Sequence, residues 1–495
     1  MSKLSRLLAG VLLVGTITVG ASPATAQDHD GAARLVAAIL GETPLISDAH
    51  ALTDGIGGRP TGSAANEMSV EWVLERFREA GVPAAKEAFR MPELWLENSA
   101  SATVFGDGIN FWPRIAAMPF STATRPQGLT APLVDGGRGT EEDFARLGEA
   151  AQDAWVLIGT DPLEDVAGLF REYTDAAAIE PRAFEAGVAG IVYMGSRPNN
   201  LLHRHFASLG TENEHPLVIM ERDAANRALR LLESGHELQL TVWLDIENGR
   251  PYETYNVIGE IRGATKPDEF VVIGAHLDSW GLGTGALDNG ANVALVIDIA
   301  RQIVRLGLQP DRTIRFALWN GEEQGLIGSW RYTQQHASEM DGHVMASSYD
   351  LGTGRIVGFF TGGRPEMVEA VERTLAPVRG LGPFQQLDIP IVGTDNYDFM
   401  MQGIGNLVAN QESANYGPNY HARSDTFDRV DQHQLRLNAA IAAAVTWGFA
   451  TMDVTWRRQT REEVQQIITS TDLGDQMRTF GLMEPWLSGE RGREP

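Results

Sequence analysis

Residues 269–275 read Glu-Phe-Val-Val-Ile-Gly-Ala, a short and nearly unbroken apolar run. Such a run, without polar alternation, fits a strand covered on both faces. A helical pattern follows over 289–307, where Val293, Val296, Ile297, Ala300, Ile303 and Val304 fall on one stripe. A second strand pattern, Thr-Ile-Arg-Phe-Ala-Leu-Trp, occupies 313–319, and a second helix pattern runs over 325–336. Alternation of strand and helix predicts an α/β fold with a mostly parallel central sheet and helices on its faces. Sheets of this kind place their ligand sites beyond the carboxyl ends of the strands. The polar residues at those ends therefore carry the functional information.

The first strand runs straight into His276-Leu-Asp278. Side chains two apart on a strand point the same way, so Asp278 either accepts a hydrogen bond from His276 or lies beside it. Ten residues on, Gly285-Ala-Leu-Asp288-Asn-Gly290 puts a carboxylate in a glycine-rich turn before a helix. The second strand ends in Trp319-Asn-Gly-Glu322-Glu323-Gln-Gly325. Of two adjacent carboxylates at a strand end, one can bind a metal while the other takes a proton from water. Ser347-Ser-Tyr-Asp350 ends a further strand-like segment, and His421 and Asp425 lie in the polar loop 419–426. Each piece alone is commonplace. Together they gather two histidines and four carboxylates at the ends of consecutive elements, a donor set that suits a two-metal site.

The chain has no cysteine, which excludes disulfides, thiolate ligands, iron–sulfur clusters and cysteine nucleophiles. Any metal must be held by His, Asp and Glu. A formal charge of −25 makes nucleic acid an unfavourable partner. At the N-terminus, Lys3 and Arg6 precede an apolar run over 7–19 and the small-residue stretch Ala24-Thr25-Ala26. This pattern predicts a signal peptide over 1–26, cleaved before Gln27, and a periplasmic or extracellular protein without a membrane span.

Several segments resemble the di-zinc exopeptidases of clan MH, the family of bacterial leucyl aminopeptidases and glutamate carboxypeptidases, and within it the carboxypeptidase Q branch. The matching pieces are Ala-His276-Leu-Asp278-Ser, Gly-Ala-Leu-Asp288-Asn-Gly, Trp-Asn-Gly-Glu322-Glu323-Gln-Gly, Tyr-Asp350 and Tyr-His421-Ala-Arg-Ser-Asp425-Thr. The loop Gly393-Thr394-Asp395 and the early Gly58-Arg-Pro-Thr-Gly62 add to the likeness. The resemblance implies a three-layer zinc-exopeptidase fold with a protease-associated-like α/β insertion. With the change in sequence texture over 128–248, the chain is expected to divide into an N-terminal catalytic part (27–127), the insertion (128–248), the main catalytic part (249–460) and, beyond the resemblance, a C-terminal tail (461–495). It further implies two zinc ions per chain, short peptide substrates and a homodimer as candidate assembly. Asp288 would bridge the metals, His276 and Asp350 would complete one, and Glu323 and His421 the other. Glu322 would be the general base and Asp278 would orient His276. Gly290-Ala291-Asn292 departs from the family's usual run at a helix start, not at a ligand. Two other functions exist on this fold: a glutaminyl cyclase-like acyltransferase and a non-catalytic binding protein. The complete ligand set argues against both.

The remaining candidates receive ordinary readings. His203 and His205 are expected in a surface loop, and His336, His343 and His433 on the surface of helices or loops. Trp280, Tyr397 and Phe399 are expected in the core. Asp395 and Asp425 are either partners that hold the ligands or simple caps.

Overall fold

The computed structural model describes residues 23–164, 166–204 and 210–494. The predicted signal segment up to residue 22 and His205 lie outside the described residues. In chain order the strands are β1 (Ala84–Met91), β2 (Trp95–Gly106), β3 (Ile109–Phe111), β4 (Ile115–Ala117), β5 (Leu129–Asp135), β6 (Trp155–Ile158), β7 (Gly190–Met194), β8 (Leu217–Met220), β9 (Leu238–Asn248), β10 (Tyr252–Ile261), β11 (Lys266–His276), β12 (Arg312–Trp319), β13 (His343–Ser348), β14 (Ile356–Phe360) and β15 (Asn406–Gln411). They form two sheets, ordered β1-β10-β12-β11-β13-β15-β14 and β3-β2-β9-β5-β6-β7-β8-β4.

In the first sheet β12, β11, β13 and β15 run parallel, with antiparallel strands at both margins. The apolar run in β11 reflects two covered faces. Val271, Ile273 and Ala275 pack with the helices Ala64–Ala80, Ala291–Arg305 and Gln432–Thr451. Val272 packs on the other face with Trp319, Tyr332 and Phe399. Burial on both sides removes any need for polar alternation. The outcome is the three-layer α/β arrangement expected from the sequence.

Residues 84–106 hold two strands, β1 and β2, in different sheets. Pro92, directly after β1, has no N–H to continue a ladder. β2 then pairs with β9 from Trp95 onward. The second sheet thus draws on residues well before the expected boundary at 128. Its four central strands, β5 to β8, run parallel. The segment expected as a tail folds into the helices Arg461–Ser470, Leu473–Thr479 and Met483–Ser488. Val464, Leu473, Met477 and Trp486 pack there with Leu326, Val392, Tyr397 and Met400. No single helix among the described residues is long and apolar enough to cross a membrane.

Candidate metal centre

Parallel register brings the site together. His276 ends β11 beside Trp319 of β12, and Gly274 lies beside Ser348 of β13. Asp350, two residues past β13, thereby comes level with His276. Its Oδ1 is 2.9 Å from His276 Nε2. Asp288 Oδ1 lies 3.1 Å from the same nitrogen, while its Oδ2 lies 3.3 Å from His421 Nε2. His421 Nε2 is in turn 2.9 Å from Glu323 Oε2. Asp288 therefore stands between two histidines, each paired with one further carboxylate. Glu322 is set slightly back, its Oε2 3.9 Å from His276 Nε2. All seven predicted residues converge, and all but half-buried Glu322 are buried.

The residues that hold the donors are equally specific. His276 Nδ1 donates to the backbone carbonyl of Asp278 at 3.0 Å; the Asp278 carboxylate, expected to do this, is 3.7 Å away. That carboxylate accepts instead from Thr61 Oγ1 at 2.7 Å and from the backbone N–H groups of Glu322 and Glu323 at 3.4 Å each. It ties one strand end to the next and so places both glutamates. His421 sits at φ +53°, a left-handed conformation unusual for a residue with a side chain. Its Nδ1 donates to the Arg204 carbonyl at 2.9 Å, and its ring stacks on Tyr420. Asp425 is a partner of the Asp288 turn: it accepts from the N–H groups of Ala286, Leu287 and Asp288 at 3.0, 2.6 and 3.2 Å. Asp395 is buried near the site.

The Gly58–Gly62 motif proves to be a brace. Buried Arg59 donates through Nε to Leu277 O (2.8 Å), through Nη1 to Gly57 O (2.7 Å) and Thr284 O (2.8 Å), and through Nη2 to Gly285 O (3.0 Å). Its guanidinium thus ties the residue after His276 to the start of the turn that carries Asp288. Gly58 is required by close approach, because a Cβ there would lie 2.7 Å from Gly283 O and 2.9 Å from the Gly281 Cα.

Electrostatics set the site apart from ordinary ion pairs. Burial raises Glu323 to about 7 and pushes Glu322 well above the usual carboxylate range, with Asp350, Asp395 and Glu323 adding repulsion on Glu322. Burial alone would lower His421, but Glu323 and Asp288 overcome it and raise the imidazole to about 10. His276 is raised well above its ordinary value for the same reason, through Asp350 and Glu322. Burial would raise Asp288, yet the two histidines hold it below the ordinary range. Among the described residues, His276, His421 and Arg59 are the basic groups acting on Asp278, Asp288, Glu322, Glu323 and Asp350. Such an excess of buried negative charge calls for cations. Glu323 Oε1 is buried without a hydrogen-bond partner. These donors, imidazole nitrogens and carboxylate oxygens, fit zinc.

A cavity of about 140 Å³ opens onto Asp288, Glu322, Glu323 and Asp350. The sequence did not announce its walls. Leu169, Phe170 and Tyr173 come from the helix Val166–Glu185 of the second sheet's domain, and Phe480 and Leu482 from the C-terminal segment. Phe480 packs edge-on against Phe170 and tilted against Tyr173. Arg491 anchors that segment: it pairs with Asp398 at 2.8 Å and donates to the carbonyls of Gly325 and Leu326, each at 3.1 Å. Trp280, Tyr397 and Phe399 are core residues, as expected. His433 is exposed, whereas His336 is half-buried. Two histidines depart from the surface reading altogether. His203 is buried in a bridge to Ala422, beside the His421 loop. His343 is buried between Tyr332 and the Glu339 carbonyl.

Residues 256–446 match the profile of peptidase family M28. Carboxypeptidase Q from Xenopus laevis is 24% identical over 414 residues, 81% of this chain and 84% of the relative. The crystal structure of a peptidase M28 precursor from Shewanella amazonensis superposes with a TM-score of 0.78 at 26% identity, covering 88% of this chain and 99% of that one. A zinc aminopeptidase from Bacillus subtilis shares the fold, with a TM-score of 0.65 at 20% identity over 81% of this chain and 93% of that one. The matched span contains every clustered donor.

Proposed function

We propose that this chain is an exported zinc exopeptidase that removes residues from the amino end of short peptides, using two metal ions and Glu322 as general base. The observation that carries the reading is Asp288, whose two oxygens each face a different histidine, at 3.1 and 3.3 Å. His276 and Asp350 would hold one ion, Glu323 and His421 the other, and Asp288 both. Bound zinc supplies Lewis acidity, lowering the pKa of water toward ~7 and polarising a carbonyl oxygen. Glu322 accepts the proton of the attacking water and returns it to the leaving amine nitrogen. Its burial raises its proton affinity, the direction a base needs to work near neutrality. Asp278 keeps Glu322 and Glu323 at their separate tasks by holding both backbone N–H groups.

The end preference follows from charge. Among the described residues lining the catalytic cavity none is Arg or Lys, while four are carboxylates. Those carboxylates are committed to the metals and to the proton, so the amino-end reading rests on there being no cation among these lining residues to clamp a C-terminal carboxylate. The apolar walls suit a terminal residue with an apolar side chain.

Glu322→Gln and Glu323→Gln separate the roles. Glu322→Gln should keep its zinc and lose at least ~10²–10⁴-fold in turnover, the contribution of a general base. Glu323→Gln should lose affinity for one zinc and partly recover with added metal, because a neutral amide is a poor ligand. Zinc stoichiometry and turnover across a zinc titration decide this, and swapped behaviour would sink the assignment. Aminoacyl-anilides should be cleaved and N-acetylated peptides spared. Equal cleavage of both would overturn the amino-end reading.

A further inference from the structure

The metal donors cluster on one side of the catalytic cavity, and a row of rings leads away from them. His421 stacks on Tyr420 with ring centroids 3.7 Å apart, and Tyr420 Oη lies 3.1 Å from Tyr173 Oη. Tyr173 packs on Phe480 at 5.3 Å, and Phe480 meets Phe170 edge-on at 6.4 Å. Phe170 is 41% exposed, so the row reaches solvent there. Phe480 is thus the third ring out from the ligand His421 and stands next to the mouth. It lies outside the span 256–446 that matches the family profile.

The backbone, not burial of its own ring, places Phe480. The helix Leu473–Thr479 ends in a Schellman turn: Leu482 N–H donates to Met477 O at 2.8 Å, Gly481 N–H donates to Arg478 O at 3.2 Å, and Gly481 takes φ +67°. The residues on either side of that glycine, half-buried Phe480 and buried Leu482, both line the cavity. The helix is fixed by buried Leu473 and Met477. It is also fixed by Gln476 Oε1, which accepts from the N–H of Val392, another lining residue, at 2.9 Å. Beyond the turn, Trp486 Nε1 donates to Gln465 Oε1 at 2.7 Å and Arg491 pairs with Asp398. The segment keeps all these ties whatever side chain stands at 480.

The space these walls leave is about 140 Å³. An apolar cavity of ~150 Å³ holds one benzene molecule. There is room for a single leucine or phenylalanine side chain, and none for the fused rings of tryptophan. We propose that Phe480 is a specificity-determining residue: its ring closes the outer end of the cavity and so sets the largest terminal side chain that can be seated before the metals. This rests on the amino-end peptidase reading, and it adds to that reading a size limit and the residue that imposes it.

The test compares kcat/KM of the full-length, zinc-loaded parent, Phe480→Ala and Phe480→Trp on the 4-nitroanilides of L-alanine, L-leucine and L-tryptophan. A misfit of one methylene in an apolar pocket changes such a ratio by ~10–200-fold. The parent should favour the leucyl over the tryptophanyl compound by at least ~10-fold. Phe480→Ala should raise the tryptophanyl-to-leucyl ratio by at least ~10-fold, and Phe480→Trp should lower the leucyl-to-alanyl ratio by a similar factor. A merely structural role would depress all the substrates together in both variants. Unchanged ratios, or a parent that takes the tryptophanyl compound as well as the leucyl one, overturn the proposal. Calorimetric titration of the same proteins with free L-alanine, L-leucine and L-tryptophan reads the same size series without turnover. A binding order that shifts as described, with no turnover of the anilides, overturns the amino-end reading and leaves Phe480 its role. Turnover with unshifted ratios overturns the role of Phe480 alone, and a parent that neither turns over nor binds overturns both.

Discussion

Arg59→Lys keeps the charge but removes the fork. The guanidinium makes four hydrogen bonds to carbonyl oxygens, at 2.7 to 3.0 Å, spread over Gly57, Leu277, Thr284 and Gly285. An ammonium on a straight stem can serve one or two of these acceptors. At least two carbonyls then stay buried and unpaired, at about 1–3 kcal/mol each. Two such carbonyls put the destabilisation at about 2–6 kcal/mol. The same change frees the turn that presents Asp288, and groups that orient metal ligands are worth ~10–100-fold in metal affinity or activity. Denaturant unfolding of metal-free protein measures the first effect, and competition with a chromophoric chelator the second. If Arg59→Lys unfolds within about 1 kcal/mol of the parent and binds zinc equally well, Arg59 is not the brace described here.

Three further outcomes are expected. Burial lowers His343 to about 3, with Arg315 and His336 adding repulsion. A histidine depressed in the folded state contributes stability that is complete above its unfolded value near 6.5 and is lost as pH falls toward 3, at up to ~1.4 kcal/mol per pH unit. His343→Gln should flatten the pH dependence of unfolding between pH 6.5 and 5, and an unchanged slope would exclude this contribution. Arg491→Ala leaves Asp398 buried without its cation and should cost about 3–5 kcal/mol in denaturant unfolding, with a drop in kcat/KM because the Gly325–Leu326 corner beside Glu322 loosens; full activity would mean the C-terminal anchor is dispensable. Finally, the exported protein should begin at Gln27, which N-terminal sequencing reads directly. Recovery of intact Met1 in a membrane fraction would contradict that.

The parts of the fold legible in the sequence are those governed by local periodicity. The β11 run betrays two covered faces, and parallel neighbours carry His276, Glu322, Glu323 and Asp350 to one edge because adjacent strands end together. What stayed hidden depends on contacts between distant residues. Arg59 reaches carbonyls more than two hundred residues away, and no spacing rule announces a buried arginine serving backbone oxygens. His203 looked like surface because no carboxylate lies near it in sequence, yet a bridge to Ala422 buries it. His343 looked the same, its partner Tyr332 being eleven residues away. Phe170, Tyr173 and Phe480 carry no sequence signal for a pocket, because an aromatic on an amphipathic helix reads as core. Their positions have a consequence for specificity. The donors all lie within 256–446, the span shared with the family, whereas Leu169, Phe170, Tyr173, Phe480 and Leu482 lie outside it. Part of the cavity wall therefore comes from stretches of the chain other than the one that carries the clustered donors. Changes in the helix Val166–Glu185 or in the C-terminal segment can reshape what enters the cavity while every metal donor stays in place.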